Sequence, residues 1–292
     1  MQDAVSGRRS ASVKSPGKPC VALMGEFSAG KSTLLNLLLA RDPLPVRVTA
    51  SSVPPVWISH GPEAAIRVAK DGTETEIGLD EISETTLSDA DFVRLWLTAD
   101  ALEICDLIDM PGISDPNMSG DTWTRLIEVV DSVIWCTHAT QAWRQSEAST
   151  WDAVRSDTNG RNLLVVTQFD KITSERDRKR LLGRLEKETK GLFQGVFPVA
   201  LIDAIRAQNE TQWRASGAAD FSEKLVDLLL RDMDKPLDTS AREARPAVER
   251  PSPPARPHPG KTASDDRVVP RRIHSAPDRS MIQKALENGA ES

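Results

Sequence analysis

The sequence predicts an α/β fold: a mostly parallel sheet with helices on both faces. Three observations lead there. Short apolar runs of strand character alternate with helical stretches of ten residues or more, and strands joined by connections of that length pair in parallel under covering helices. The first run, Cys20 to Met24, leads through a Gly-rich stretch into a helix marked by Leu34, Leu35, Leu37, Leu38 and Leu39. Finally, residues 235–292 hold nine of the nineteen prolines and no aromatic residue, too little apolar surface to offset ordering entropy. The expected division is a disordered segment 1–18, a folded domain 19–234 and a disordered, Pro-rich basic tail 235–292.

Along the folded part, Cys20–Met24 reads as a buried strand and residues 42–52, rich in Pro, Ser and Thr, as a loop. Strands are expected at Val53–Ser59, Ala65–Ala69, Phe92–Leu97 and Leu102–Ile108, with a turn at Lys70-Asp71-Gly72. Helices at Ser119–Val130, Gln145–Arg155, Ser174–Lys190 and Asp220–Met233 then alternate with strands at Ser132–Cys136, Asn162–Val166 and Val196–Leu201. Trp96 and Trp135 sit in strand patterns and read as core; Trp143 and Trp151 fit core packing better than a partner surface. Arg176–Arg180 reads as a solvated helix face. In the tail, Met281, Ile282, Ala285 and Leu286 share one side of a short segment, open to two readings: a docking helix or a disordered end.

Charge and composition exclude several classes. The net charge is −6, with 11 Lys/Arg against 8 Asp/Glu in the tail and 4 against 1 in residues 1–18, which leaves −12 on residues 19–234. An acidic body is a poor match to nucleic acid, so none is expected as a partner. No apolar run approaches the roughly 20 residues of a membrane span, and no apolar stretch follows the basic N-terminus as in a secretory signal. Cys20, Cys105 and Cys136 lie far apart in apolar runs, as buried thiols of a reducing compartment do, and a cytoplasmic location is expected. The basic tail is a candidate for peripheral contact with anionic lipid.

The strongest signal is Gly25-Glu26-Phe27-Ser28-Ala29-Gly30-Lys31-Ser32, a full match to the phosphate-binding pattern G-x-x-x-x-G-K-[ST] between a strand and a helix. Its backbone N–H groups can form an anion nest, and the next helix adds its positive end. Lys31 then serves the β- and γ-phosphates, and the Ser32 hydroxyl ligates Mg²⁺. Asp109-Met110-Pro111-Gly112 follows a strand-like run. Alone it is a common turn. Beside the phosphate loop its carboxylate can hold Mg²⁺ through water, and Gly112 leaves its N–H free to approach a γ-phosphate.

These stretches resemble the dynamin superfamily of GTPases, in particular its bacterial members. The likeness rests on Gly25-Glu26-Phe27-Ser28-Ala29-Gly30-Lys31-Ser32-Thr33 with the leucines after it, on Leu107-Ile108-Asp109-Met110-Pro111-Gly112-Ile113, and on Thr137–Glu147; it covers about residues 19–205. It implies a P-loop GTPase sheet with GTP and Mg²⁺ as ligands. The family's T-K-x-D element is Thr167-Gln168-Phe169-Asp170 here. Asp170 can accept bonds from guanine N1–H and N2–H₂, whereas Gln168 replaces the lysine that packs over the base. Guanine is preferred over adenine, with a strand-end Asp that only caps a turn as the alternative. The switch I hydroxyl, by alignment, is Ser51 or Ser52 in preference to Thr49; Ser52 would join Ser32 and Asp109 at the metal. Ser28 is assigned to charge at the β/γ bridge by resemblance.

Two departures bear on turnover. Ile113 stands where Ras-like enzymes carry a water-orienting Gln, and Phe27 fills the P-loop position where eukaryotic dynamins use one. Hydrolysis is therefore expected to be slow until a second copy or another dynamin-like chain completes the site, since an external charge can add roughly 10³–10⁵ in rate. The alternative is a degenerate nucleotide-binding domain used as a scaffold. The family's long helical stalk has no counterpart of sufficient length after Leu201, so membrane fission by this chain alone is not expected.

Overall fold

The computed structural model describes residues 14–40, 54–113 and 126–233, with side chains described through residue 230. The chain divides into two units, Met1–Ser240 and Ala241–Ser292, and every described residue lies in the first. In order the elements are β1 (Cys20–Gly25), α1 (Lys31–Leu38), β2 (Val56–His60), β3 (Ala64–Val68), β4 (Glu74–Ile77), β5 (Phe92–Leu97), α2 (Ala101–Ile104), β6 (Asp106–Asp109), β7 (Ser132–His138), α3 (Gln145–Val154), β8 (Leu163–Thr167), α4 (Glu175–Glu188), β9 (Val196–Val199), α5 (Leu201–Arg206), α6 (Glu210–Ala215) and α7 (Ala218–Met233). The strands form one sheet in the order β4-β3-β5-β2-β6-β1-β7-β8-β9.

The sheet has a parallel half and a mixed half. From β6 through β1, β7 and β8 to β9 every pairing is parallel. On the other side β2 runs antiparallel to β6 but parallel to β5, and β3 is antiparallel to both of its neighbours. The parallel strands are buried on both faces, and their alternate residues feed two separate cores. Val21 and Leu23 of β1, with Ile134 and Cys136 of β7, pack under α1, α5 and α7. Cys20, Ala22 and Met24, with Val133 and Trp135, pack under α3 and α4. This is the expected α/β sheet with helices on both faces.

Several boundaries moved. The expected strand Leu102–Ile108 is a single helical turn, α2, followed by β6; one turn is too short to show a helical period. Val196–Leu201 stops at Val199, because Leu201 opens α5 and packs against Gly30. The expected strand from Val53 begins at Val56. Strand β4 was not expected: its residues, Glu-Thr-Glu-Ile, are mostly exposed at the sheet edge and carry no apolar alternation. The expected helix Ser119–Val130 lies mostly outside the described residues. Trp96, Trp135, Trp143 and Trp151 are all buried. The three cysteines are buried and free. Among the described residues no helix is long and apolar enough to cross a membrane, and no group of three or more His, Cys, Asp or Glu could hold a metal ion.

Candidate nucleotide-binding site

The site forms at the carboxyl edge of the parallel half, where β1 gives way to α1. At Gly25 the chain has φ 141°, and a Cβ there would stand 2.1 Å from the carbonyl oxygen of Cys136 on β7, so only glycine lets the two strands pair this closely. The loop then curls, with Ala29 N–H bonding the Glu26 carbonyl at 3.2 Å, Ser28 at φ 58°, and Gly30 left-handed as the N-cap of α1. Helix α1 starts with four N–H groups lacking intrahelical partners, and its dipole adds positive potential at that end.

Lys31 turns its side chain back over this loop. Its Nζ donates to the carbonyls of Gly25 at 3.1 Å and Glu26 at 2.8 Å. Burial pushes the Lys31 pKa down, and the nearby Asp109 charge opposes that shift. Asp109 ends β6, which pairs in parallel with β1 so that Asp109 stands opposite Leu23. It is 4% exposed, and its Oδ2 accepts from Ser32 Oγ at 3.2 Å. Its Oδ1 is buried with no partner among the described residues. Burial raises its pKa to about 6, against the lowering effects of Lys31 and the Ser32 bond. A carboxylate oxygen left without a donor beside a serine hydroxyl fits a hard divalent cation, which takes oxygen ligands only.

Past Asp109 the chain stays on the loop. Met110 N–H bonds Leu23 O at 3.2 Å and Ile113 N–H bonds Gly25 O at 3.1 Å. A Cβ at Gly112 would meet the Phe27 backbone nitrogen at 2.8 Å. Gly112 is thus pressed on the phosphate loop. Thr167 closes the site from β8: its buried Oγ1 donates to Ala29 O at 2.8 Å. Gln168, left-handed at φ 52°, reaches Ser28 O from its Nε2 at 3.5 Å. Asp170 lies exposed in the 3₁₀ turn Phe169–Lys171.

The structure therefore brings Gly25, Glu26, Phe27, Ser28, Ala29, Gly30, Lys31, Ser32, Thr33, Asp109, Gly112, Thr167 and Gln168 to one edge of the sheet, with Asp170 on the adjoining turn. Glu26 points sideways, its Oε1 accepting from Ser146 Oγ at 2.6 Å, and Phe27 is 62% exposed. Thr49, Ser51 and Ser52 lie outside the described residues. Sequence reasoning gave no role to Thr137, which is linked to the loop through Thr167, to Glu147, which holds Thr137, or to Leu201, which packs against Gly30. Of these, only the Thr137–Glu147 wording carried a signal, as part of a family likeness.

The profile of the Dynamin family matches residues 21–169. Dynamin-like protein 2 of Campylobacter jejuni is 30% identical over 220 residues, which cover 71% of this chain and 34% of that protein. Two solved chains described as an oligomerised bacterial dynamin pair for the long-range sensing and tethering of membranes share the fold. Their TM-scores are 0.55 and 0.53 at 20% and 22% identity, each match covering 74% of this chain and 36% of theirs. The chain spans about a third of the length of these relatives. A profile match over half of the sequence, which takes in the phosphate loop and the buried Asp109 just described, shows that the chain belongs to the dynamin family and carries its GTPase-type domain.

Proposed function

We propose that the protein is a Mg²⁺-dependent GTPase that works as a molecular switch, hydrolysing GTP to GDP and phosphate slowly on its own and faster when a second copy or a second dynamin-like chain joins the site. The observation that carries this reading is the Ser32–Asp109 pair beside Lys31: among the described residues, a hydroxyl and a half-satisfied buried carboxylate next to a lysine bonded only to backbone carbonyls. Ser32 and Asp109 would hold the cation, with Ser52 assigned to it by family likeness; when bound it supplies positive charge that neutralises the β- and γ-phosphates. Lys31 exchanges its carbonyl partners for phosphate oxygens. The N–H groups of the loop and of α1 bind the anion, with Ser28 assigned to the β/γ bridge. Asp170 selects guanine by accepting its two N–H donors, while Gln168 supports the base less extensively than a lysine stem.

Phe27 and Ile113 offer no group that could orient a water, which is why the second chain is invoked. The basic segment 235–292 is assigned to recruitment at an anionic surface, and the cytoplasm is the compartment proposed. Phosphate release from GTP and from ATP, measured for the wild type and for Lys31→Ala, tests the reading. GTP alone is expected to turn over, at a rate per molecule that climbs with protein concentration, and the substitution is expected to cost roughly 10²-fold or more. Tight GTP binding without turnover would instead mark a scaffold, the outcome that Phe27 and Ile113 favour if no partner completes the site. Equal ATP turnover would remove Asp170 from base selection.

A further inference from the structure

Four residues other than glycine have positive φ among the described residues: Ser28, Ala40, Trp143 and Gln168. Ser28 and Gln168 belong to the nucleotide edge, and Ala40 follows the end of α1, where a left-handed residue terminates helices. Trp143, at φ 57°, has neither explanation. A bulky residue in that region is strained and persists only where its surroundings hold it.

The surroundings of Trp143 converge on one carboxylate. Trp143 N–H donates to Thr137 Oγ1 at 3.0 Å, and Thr137 Oγ1 in turn donates to Glu147 Oε2 at 3.0 Å. Arg144 N–H reaches the same oxygen at 2.9 Å, while Trp135 Nε1 donates to Oε1 at 3.0 Å. Glu147 is 1% exposed; burial raises its pKa, and these three donors pull it back. The Trp143 ring meets Trp135 and Phe193 edge-on, and Arg184 fixes the Ala142 carbonyl at 2.8 Å. The segment so held, residues 138–144, is tied to the phosphate loop at both ends. On one side Thr167 Oγ1 bridges Thr137 O at 3.3 Å and Ala29 O at 2.8 Å. On the other Ser146 Oγ, next to Glu147, donates to Glu26 Oε1 at 2.6 Å.

We propose that Glu147 is a positioning residue: it locks residues 138–144 in their strained path, and through Thr137–Thr167–Ala29 and Ser146–Glu26 the lock and the nucleotide loop order each other. The inference rests on the proposed function only in taking a guanine nucleotide as the ligand of that loop. Coupling between two sites is reciprocal, so the nucleotide tightens the segment to the extent that the segment tightens nucleotide binding.

The test is amide hydrogen exchange on the full chain, with and without GDP and Mg²⁺, joined to a titration of GDP affinity. In the wild type GDP is expected to slow exchange at the Trp143 and Arg144 amides about tenfold. Glu147→Gln, which sets an amide NH₂ against one of the three donors, is expected to speed exchange there about tenfold and to weaken GDP about fivefold, the lower end of usual coupling. Thr137→Val keeps the shape but cuts the link from Glu147 to Trp143. It should reproduce both effects, and the double variant should add little, since the two residues act in one chain of bonds. Unchanged protection in β1 and β8 identifies variants whose sheet is intact. A loosened segment with GDP affinity unchanged in both variants overturns the inference, as does a segment no looser than in the wild type. A wild type that binds GDP while residues 138–144 ignore it sinks the coupling alone; one that binds no GDP sinks the proposed ligand with it.

Discussion

Asp106 and Asp109 open and close the same four-residue strand, and both carboxylates are buried. Their surroundings are opposite. Asp106 accepts from Arg94 Nη2 at 3.3 Å, Trp57 Nε1 at 3.2 Å, Ser15 N–H at 3.2 Å and Ser15 Oγ at 2.9 Å. Arg94 also bonds Ser59 Oγ at 2.6 Å and lies 3.9 Å over the Trp57 ring. Asp109 has Ser32 on one oxygen and nothing among the described residues on the other. A buried carboxylate with its donors supplied by the fold is a structural part. One with a donor withheld is poised for something the fold does not contain, and stability is the expected cost.

The largest effect is expected at the satisfied end. Asp106→Ala leaves the Arg94 guanidinium, 2% exposed, without its counter-charge. Breaking a buried pair by removing one partner costs about 3–5 kcal/mol. For a domain of this size that lowers the melting temperature by roughly 10 °C in calorimetry. A loss below about 1 kcal/mol would show that Arg94 escapes to water, and the contrast between the two ends would lose its structural half.

The two ends were not equally legible from sequence. Asp109 could be singled out as a candidate because its signal is local: a strand end, a D-x-P-G turn, and a G-x-x-x-x-G-K-S stretch of eight residues. Strand β5 was placed at its observed limits, yet nothing in Phe-Val-Arg-Leu-Trp-Leu says that Arg94 points inward. Its partners, Ser59 and Trp57 of β2 and Asp106 of β6, are brought together only by the sheet order. Glu147 stayed hidden for the same reason, since Trp135 and Thr137 reach it across a strand-to-helix connection. The insertion of β2 between β5 and β6, antiparallel to β6 alone, was equally invisible, because alternating apolar residues do not name their neighbour. The turn bearing Asp170 was legible as a strand end, although its base contact stays a proposal.

At the unsatisfied end the sign of the effect reverses. Burial raises the Asp109 carboxyl from an ordinary 3.8 to about 6. The folded, nucleotide-free protein therefore holds a proton that the unfolded chain has released between those two values. Its stability rises as pH falls through 6 toward 4, and the whole penalty is present above 6. Asp109→Asn removes a charge that is poorly compensated, so at pH 7.5 the nucleotide-free variant is expected to be more stable than the wild type by about 1–3 kcal/mol. The same variant is expected to lose the Mg²⁺-dependent part of nucleotide affinity in a titration with and without the metal. A lower melting temperature would mean that the Ser32 bond and the Lys31 charge already satisfy the carboxylate, and the contrast would disappear.

The smallest effect sharpens the comparison. Ser15→Ala removes one hydroxyl bond from Asp106 and leaves Arg94, Trp57 and the Ser15 N–H in place, so a loss of about 1 kcal/mol is expected. Three strand residues span about 10 Å, near the separation at which effects on stability become additive. If β6 merely carries two independent carboxylates, the stability change of Ser15→Ala combined with Asp109→Asn equals the sum of the single changes within about 0.5 kcal/mol. Denaturant titration of the four proteins measures this. A larger discrepancy would show that the strand transmits the packing of residues 14–18 to the edge where Lys31 and Ser32 stand, and the two ends would then have to be treated as one device.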